Sequence, residues 1–277
     1  VCMRQNQSLI KLSNVSKVFL RGTVDEVTAL HNVRLDVGDE DFVTVIGSNG
    51  AGKTTLLNVI AGIYPPEKGG KITINGQDVT RFSEHMRARY VSRVYQDPHT
   101  GTAAKMTIEE NLSLAMLRGQ SRGLSIATNK KRRELFRLAL DPLGLGLENR
   151  LSAMVGTLSG GQRQALALIM ATISKPSLLL LDEHVATLDP KTNRVVLELS
   201  EMIAQKEKMA TIMVTHNMEN ALRYGNRLIM MHKGKIIVDI HQEKKSGLSV
   251  NDLVVAFEHA SGERFSDDSI ILSNVDS

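Results

Sequence analysis

The stretch Phe42-Val43-Thr44-Val45-Ile46-Gly47-Ser48-Asn49-Gly50-Ala51-Gly52-Lys53-Thr54 decides how the rest of the chain is read. Its first five residues are rich in β-branched and apolar types, which predicts a short strand. A Gly-rich turn follows, and Thr54 to Ala61 predicts a helix stopped by Gly62. Residues Gly47 to Thr54 fit G-x-x-x-x-G-K-[ST]. Glycines at those places let successive backbone N–H groups turn inward around phosphate oxygens. The following helix presents its positive N-terminal end to the same anion. Lys53 can reach the β- and γ-phosphates, and the Thr54 hydroxyl can bind Mg²⁺. A chance Gly-rich turn is the competing account, but the pattern lies between a strand and a helix, as a phosphate loop must.

Upstream, Leu9 to Val37 reads as strands broken by a polar loop, Arg21 to Glu26. Downstream, Lys71 to Ile74 and Val91 to Tyr95 predict strands. Met106 to Leu117 and Lys131 to Leu140 are helix-like and joined by a Gly/Ser-rich stretch, which suggests a helical insertion over about 97–153. Leu166, Ile169, Met170 and Ile173 share one helical face. Leu178 to Leu181 and Thr211 to Thr215 are strands buried on both faces. Ile229 to Met231 and Ile236 to Val238 flank Lys233-Gly234, a hairpin signal. Val250, Leu253, Val254 and Phe257 predict a short amphipathic helix near the C-terminus.

Leu178 to Leu181 runs into Asp182-Glu183. Ligands of parallel α/β sheets sit beyond the carboxyl ends of strands. Asp182 there can hold Mg²⁺ through water, and Glu183 can polarise an attacking water. An ordinary acidic turn is the alternative, weakened by the phosphate loop in the same chain.

Leu158-Ser159-Gly160-Gly161-Gln162 narrows the choice among nucleotide-binding folds. Ser159 and the two glycines expose backbone N–H groups at a helix N-terminus, a second anion site. The five residues resemble the signature motif of ABC proteins and open a helix shortly before the acidic strand, as in that family. The resemblance covers roughly Leu9 to Gln242. It implies an α/β fold: a P-loop NTPase (RecA-like) core with an antiparallel β subdomain and an α-helical insertion. The expected ATPase domain is 8–245, with 246–277 a short C-terminal helical tail.

The resemblance also assigns residues. ATP is bound by Gly47, Ser48, Asn49, Gly50, Ala51, Gly52, Lys53, Thr54 and Thr55. Phe19 resembles the aromatic that stacks on adenine, usually tyrosine; a core role is its rival. Gln96, in Gln96-Asp97-Pro98, resembles the loop that links Mg²⁺ and water to the helical insertion. His216 resembles the switch histidine at the γ-phosphate, so Glu183, His216 and Gln96 form the implied catalytic set. Thr54, Gln96 and Asp182 form the implied metal set. Ser159, Gly160, Gly161 and Gln162 would face the γ-phosphate held by a partner subunit. Asp189, in Ala186-Thr187-Leu188-Asp189, would contact that partner, cap the helix at Pro190, or both. His184 stands where many members have proline.

The 277 residues are 23% charged and 42% hydrophobic, and the net charge of +4 is too mild to argue for nucleic acid. One cysteine, Cys2, excludes a disulfide framework or zinc cluster and fits a reducing compartment. Val1 and Cys2 precede Met3 and read as a start-site artefact. No apolar run approaches the roughly 20 residues that cross a bilayer, and none reads as a signal peptide. Other chains must then supply any channel. The resemblance implies an ATP-hydrolysing subunit of a multi-chain transporter, working with ATP and Mg²⁺ at the cytoplasmic face of the membrane. Its implied partners are permease subunits, a second ATP-binding subunit forming a homodimer, and indirectly a solute-binding protein. Import of a small solute is favoured over export, since exporters are often fused to a membrane domain. The alternatives are an exporter subunit, a separate ABC ATPase such as an iron–sulfur assembly factor, and a module that binds without hydrolysing. Intact Glu183 and His216 oppose the last. Two lesser features are a basic run, Lys130 to Arg133, read as a solvated helix start rather than a lipid contact, and Phe257, read as packing on its own domain rather than in a dimer.

Overall fold

The computed structural model describes residues 8–119 and 129–263. Cys2, the Gly/Ser-rich stretch over 120–128 and the tail beyond 263 lie outside the described residues. In chain order the elements are β1 (Ile10–Phe19), β2 (Val27–Val37), β3 (Phe42–Ile46), α1 (Lys53–Ala61), β4 (Lys71–Ile74), β5 (Gln77–Asp78), α2 (Glu84–Arg87), β6 (Val91–Val94), α3 (Ile108–Met116), α4 (Lys130–Leu140), α5 (Gly160–Thr172), β7 (Leu178–Asp182), α6 (Pro190–Lys206), β8 (Ala210–Val214), α7 (Met218–Arg223), β9 (Arg227–His232), β10 (Lys235–His241), α8 (Gln242–Lys245) and α9 (Val250–Ser261). The described residues divide into two compact units, one of 8–87 with 210–263 and one of 88–209.

The first unit carries an antiparallel sheet in the order β2-β1-β4-β5 and the strand set β10-β9-β3-β8. β3 pairs in parallel with both β8 and β9, and β10 closes onto β9 as an antiparallel hairpin. All five residues of β3 are buried, as a central parallel strand requires. α1 ends at Gly62 in the left-handed region, φ 86°. Arg87 then finishes the helix from outside: Nη1 donates to Val59 O at 2.6 Å and Ile60 O at 2.8 Å, and Nη2 to Thr80 O at 3.0 Å. Burial pushes its pKa down to about 10, so it keeps its charge at neutral pH, favourable at a helix C-terminus. The C-terminal helix α9 is part of this unit's core. Leu253 and Phe257 pack with Ile46, Met218, Ala221, Leu228 and Met230.

In the second unit β6 and β7 pair in parallel, Val91 opposite Leu178 through Val94 opposite Leu181. The helix expected from Met106 begins at Ile108, because Thr107 caps it. Thr107 accepts from Glu110 N, and the Glu110 carboxylate accepts from Thr107 N at 2.7 Å. The basic run at the start of α4 is mostly exposed, and Arg133 makes a two-pronged pair with Glu109 at 2.6 and 2.8 Å. Leu166, Ile169 and Met170 of α5 are buried. α6 is a 17-residue amphipathic helix that the periodicity reading did not single out; Val196, Leu197, Leu199, Ile203 and Ala204 form its inner face. No helix among the described residues is long and apolar enough to cross a membrane.

Candidate functional site

The phosphate loop joins β3 to α1 and is braced from behind by the β9–β10 hairpin. Gly234 N donates to Ala51 O at 3.0 Å. A Cβ on Gly47 would lie 2.2 Å from Met231 O, so only glycine lets the loop approach that strand. Gly52 adopts φ 98°, and a Cβ there would lie 2.4 Å from Ala29 O. Gly52 is also the N-cap of α1 and supplies no side-chain cap, which leaves the helix N-terminus to an external acceptor. Lys53 is 5% exposed, and its Nζ donates to Gly47 O at 2.6 Å and Ser48 O at 3.2 Å. Its ammonium is thus held over the loop's own carbonyls. Thr54 is exposed and Thr55 half-buried in the first turn.

Phe19 ends β1 and is half-buried, not a core residue. Its ring meets Tyr64 edge-on at 5.1 Å, and Lys17 Nζ lies 5.5 Å from the Phe19 ring centre and 5.8 Å from that of Tyr64. Tyr64 carries no motif and was not singled out from the sequence. His216 lies just past the end of β8, half-buried, where Thr215 N donates to Val45 O at 3.1 Å.

In the second unit β7 delivers Asp182, 8% exposed, and the chain then turns. Glu183 is half-buried with φ 47°, an uncommon value for a side chain of its size. Such strain persists where the surroundings hold it and often marks function. Arg93 of β6 donates to Asp182 Oδ2. His184 points into the core. Its Nε2 lies 3.0 Å from Ser200 Oγ of α6, and that hydroxyl donates to Val196 O at 2.8 Å. The hydroxyl proton being used, His184 Nε2 is the donor, and Nδ1 has no partner among the described residues.

Burial pushes the His184 pKa down to about 3. Above about pH 6.5 neither the folded nor the unfolded chain protonates this ring, and stability is full. As pH falls from there toward 3 the unfolded chain alone takes the proton, so stability drops by about 1 kcal/mol per pH unit from this group. Urea unfolding of the nucleotide-free protein across that window is expected to show this slope. His184→Leu should remove it; an unchanged slope would mean the folded protein accommodates the charged ring.

The helix α5 opens with Ser159 as its N-cap. The Ser159 hydroxyl accepts from Gln162 N at 3.3 Å, and Gln162 Oε1 accepts from Ser159 N at 3.2 Å, a capping box. Two of the four residues are thus occupied with each other. Gly161 has a structural task too, since a Cβ there would lie 2.2 Å from Thr192 Cγ2. Ser159 and Gly160 are exposed. Asp189 caps α6 by accepting from Thr192 N at 3.1 Å, and hydrogen bonds from the Thr192 side chain and backbone hold its carboxyl below the usual range. Gln96 is exposed just past β6. Two residues after the signature tie its helix to that segment. Arg163 Nη1 lies 2.6 Å from His99 Nδ1, and Gln164 Nε2 donates to Tyr95 O at 3.2 Å. Nothing in the neighbouring residues signals these contacts.

The first unit thus carries the phosphate loop, Phe19 and His216. The second carries Gln96, Asp182, Glu183, Asp189 and Ser159 to Gln162. Residues 30–186 match the family described as ABC transporter. The chain is 43% identical over 252 residues to the tyrosine transport ATP-binding protein of Clostridioides difficile, covering 91% of this chain and all of that one. It is 34% identical to the energy-coupling factor transporter ATP-binding protein EcfA2 of Caldanaerobacter subterraneus, covering 82% of this chain and 77% of that one. Among solved structures it resembles a dimeric ATP-binding cassette in a post-hydrolysis state bound to ADP and Pi. The TM-score is 0.71 and the identity 26%, covering 84% of this chain and 98% of that one. The fold is that of a P-loop NTPase, mixed α/β with an antiparallel sheet. The chain belongs to the ABC transporter family and is one of its ATP-binding, ATP-hydrolysing subunits.

Proposed function

We propose that this chain energises an importer of a small solute, and that the solute is an aromatic amino acid. The observation that carries this reading is its 43% identity to a tyrosine transport ATP-binding protein along that protein's whole length. On this reading two copies work beneath two permease chains at the inner face of the membrane, and a solute-binding protein delivers the cargo.

The residue roles are those the family resemblance implies, and each fits the chemistry of its side chain. Lys53 and the uncapped N-terminus of α1 bind phosphate oxygens. The Phe19 ring, with Tyr64 at its edge, offers an aromatic surface to adenine. Thr54, Gln96 and Asp182 provide hydroxyl, amide and carboxylate oxygens, the hard donors that suit Mg²⁺ held jointly with phosphates. When bound, the ion would supply positive charge to the β- and γ-phosphate oxygens. Glu183 accepts the proton of the attacking water, and His216 donates to the γ-phosphate. Ser159 to Gln162 of one copy meet the nucleotide held by the other, and Asp189 adds a contact between copies while capping its own helix. ATP touches more groups when the pair is closed, so it favours closure, and hydrolysis releases it. The segment over 97–153 passes that motion to the permease, within an ATPase domain of 8–245 followed by the tail from 246.

Uptake of labelled tyrosine by cells carrying Lys53→Ala is expected to fall at least tenfold, because a charge-assisted phosphate contact is lost. Unchanged tyrosine uptake would overturn the proposed cargo. Recovery of the tagged wild-type chain without any membrane-spanning partner after detergent extraction would overturn its place in an importer.

A further inference from the structure

Arg93 stands in β6 opposite Leu180 of β7. β6 is the edge strand of its sheet, yet the Arg93 side chain is nearly buried, and a guanidinium so buried needs a compensating partner. Arg93 Nη2 donates to Asp182 Oδ2, 89 residues further along the chain. The side chains are 9% and 11% exposed, so solvent and salt screen the pair weakly. The same guanidinium lies 4.8 Å from the centre of the Tyr95 ring, a cation–π contact one residue before Gln96.

We propose that Arg93 is a built-in counterion of Asp182 that competes with magnesium for this carboxylate and so sets the Mg²⁺ concentration at which nucleotide binds. The inference rests on the reading of Asp182 as a magnesium ligand. A divalent ion reaching Asp182 meets a fixed positive charge already bound to it. Arginine cannot relieve that repulsion by losing a proton. It must share the carboxylate or shift its weight onto the Tyr95 ring, which is already in contact. Without Arg93, Asp182 is a nearly buried carboxylate with its counterion gone, and its demand for a cation rises. Arg93 is therefore a positioning residue that acts through Asp182.

The test is equilibrium binding of a fluorescent, non-hydrolysable ATP analogue to the full chain as Mg²⁺ is varied. Arg93→Met is expected to lower the half-saturating Mg²⁺ concentration about tenfold. Arg93→Gln, which keeps a hydrogen-bond donor without charge, should do the same, and guards against a packing defect in the methionine variant. Arg93→Lys should stay near wild type. Asp182→Asn should raise the Mg²⁺ requirement, and adding Arg93→Met to it should change nothing further. An unchanged or raised requirement in both neutral Arg93 variants overturns the counterion. An Asp182→Asn protein with wild-type Mg²⁺ dependence overturns instead the reading of Asp182 as a ligand.

Discussion

Replacing Glu183 by glutamine is expected to cut ATP hydrolysis by about 10²–10⁴-fold while leaving ATP binding in place. The amide cannot take the proton of an attacking water. The substitution is nearly isosteric, so the turn, with Glu183 at φ 47° and Ala186 N bonded to Glu183 O at 2.9 Å, has no steric reason to change. The neighbouring His184 to Ser200 contact holds the same turn from inside and is untouched. Removing a negative charge near the γ-phosphate should also favour the nucleotide-bound pair of copies. Steady-state turnover and nucleotide titration on one preparation separate the two effects. Near-normal turnover in Glu183→Gln would remove Glu183 from the chemistry and leave its backbone strain without a catalytic explanation.

Ser159→Arg is expected to abolish ATP-dependent pairing of two copies, weakening it at least a hundredfold, with nucleotide affinity of the single chain within about threefold of wild type. Ser159 is exposed at the start of α5, so arginine fits the isolated chain, and its length would hold apart two surfaces that must meet closely. The variant also loses the hydroxyl that accepts from Gln162 N, at a cost of about 1 kcal/mol, too little to unfold the domain. Because capping alone could move the helix end, Ser159→Ala serves as the control: it removes the cap without the bulk and should still pair. Gel filtration with ATP in a Glu183→Gln background reads the result. Pairing by the Ser159→Arg, Glu183→Gln protein would refute the shared-nucleotide arrangement. Loss of ATP binding by the single chain would place Ser159 on its own chain's nucleotide.

Much of this protein is local, and local order is written in the sequence. The phosphate loop is legible because its glycine spacing, the strand before it and the helix after it are neighbours in the chain. β7 is legible because four leucines in a row exclude any solvated alternative. The caps at Ser159 and Asp189 are legible because their side chains bond backbone N–H groups three residues on; those at Thr107, which moves the helix start on from the expected Met106, and at Ser249 are as local but emerge only in the structure. The family signature, too, is a run of adjacent residues. What sequence reading missed lies where the partner is far along the chain. Arg93 looks like a surface residue that interrupts an apolar strand until strand pairing sets it beside Asp182. His184 looks like a variant of the usual proline until α6 supplies Ser200. Gly161 reads as a bare N–H donor, yet a Cβ there would also collide with the Thr192 methyl unless that side chain moved. Phe257 could have faced another copy, but Met218, Leu228 and Met230 close over it. A residue's own chemistry and its neighbours within a turn fix the motif and its phosphate affinity. Register and burial, which depend on contacts 16 to 89 residues apart, decide which of those groups are already engaged and with what charge.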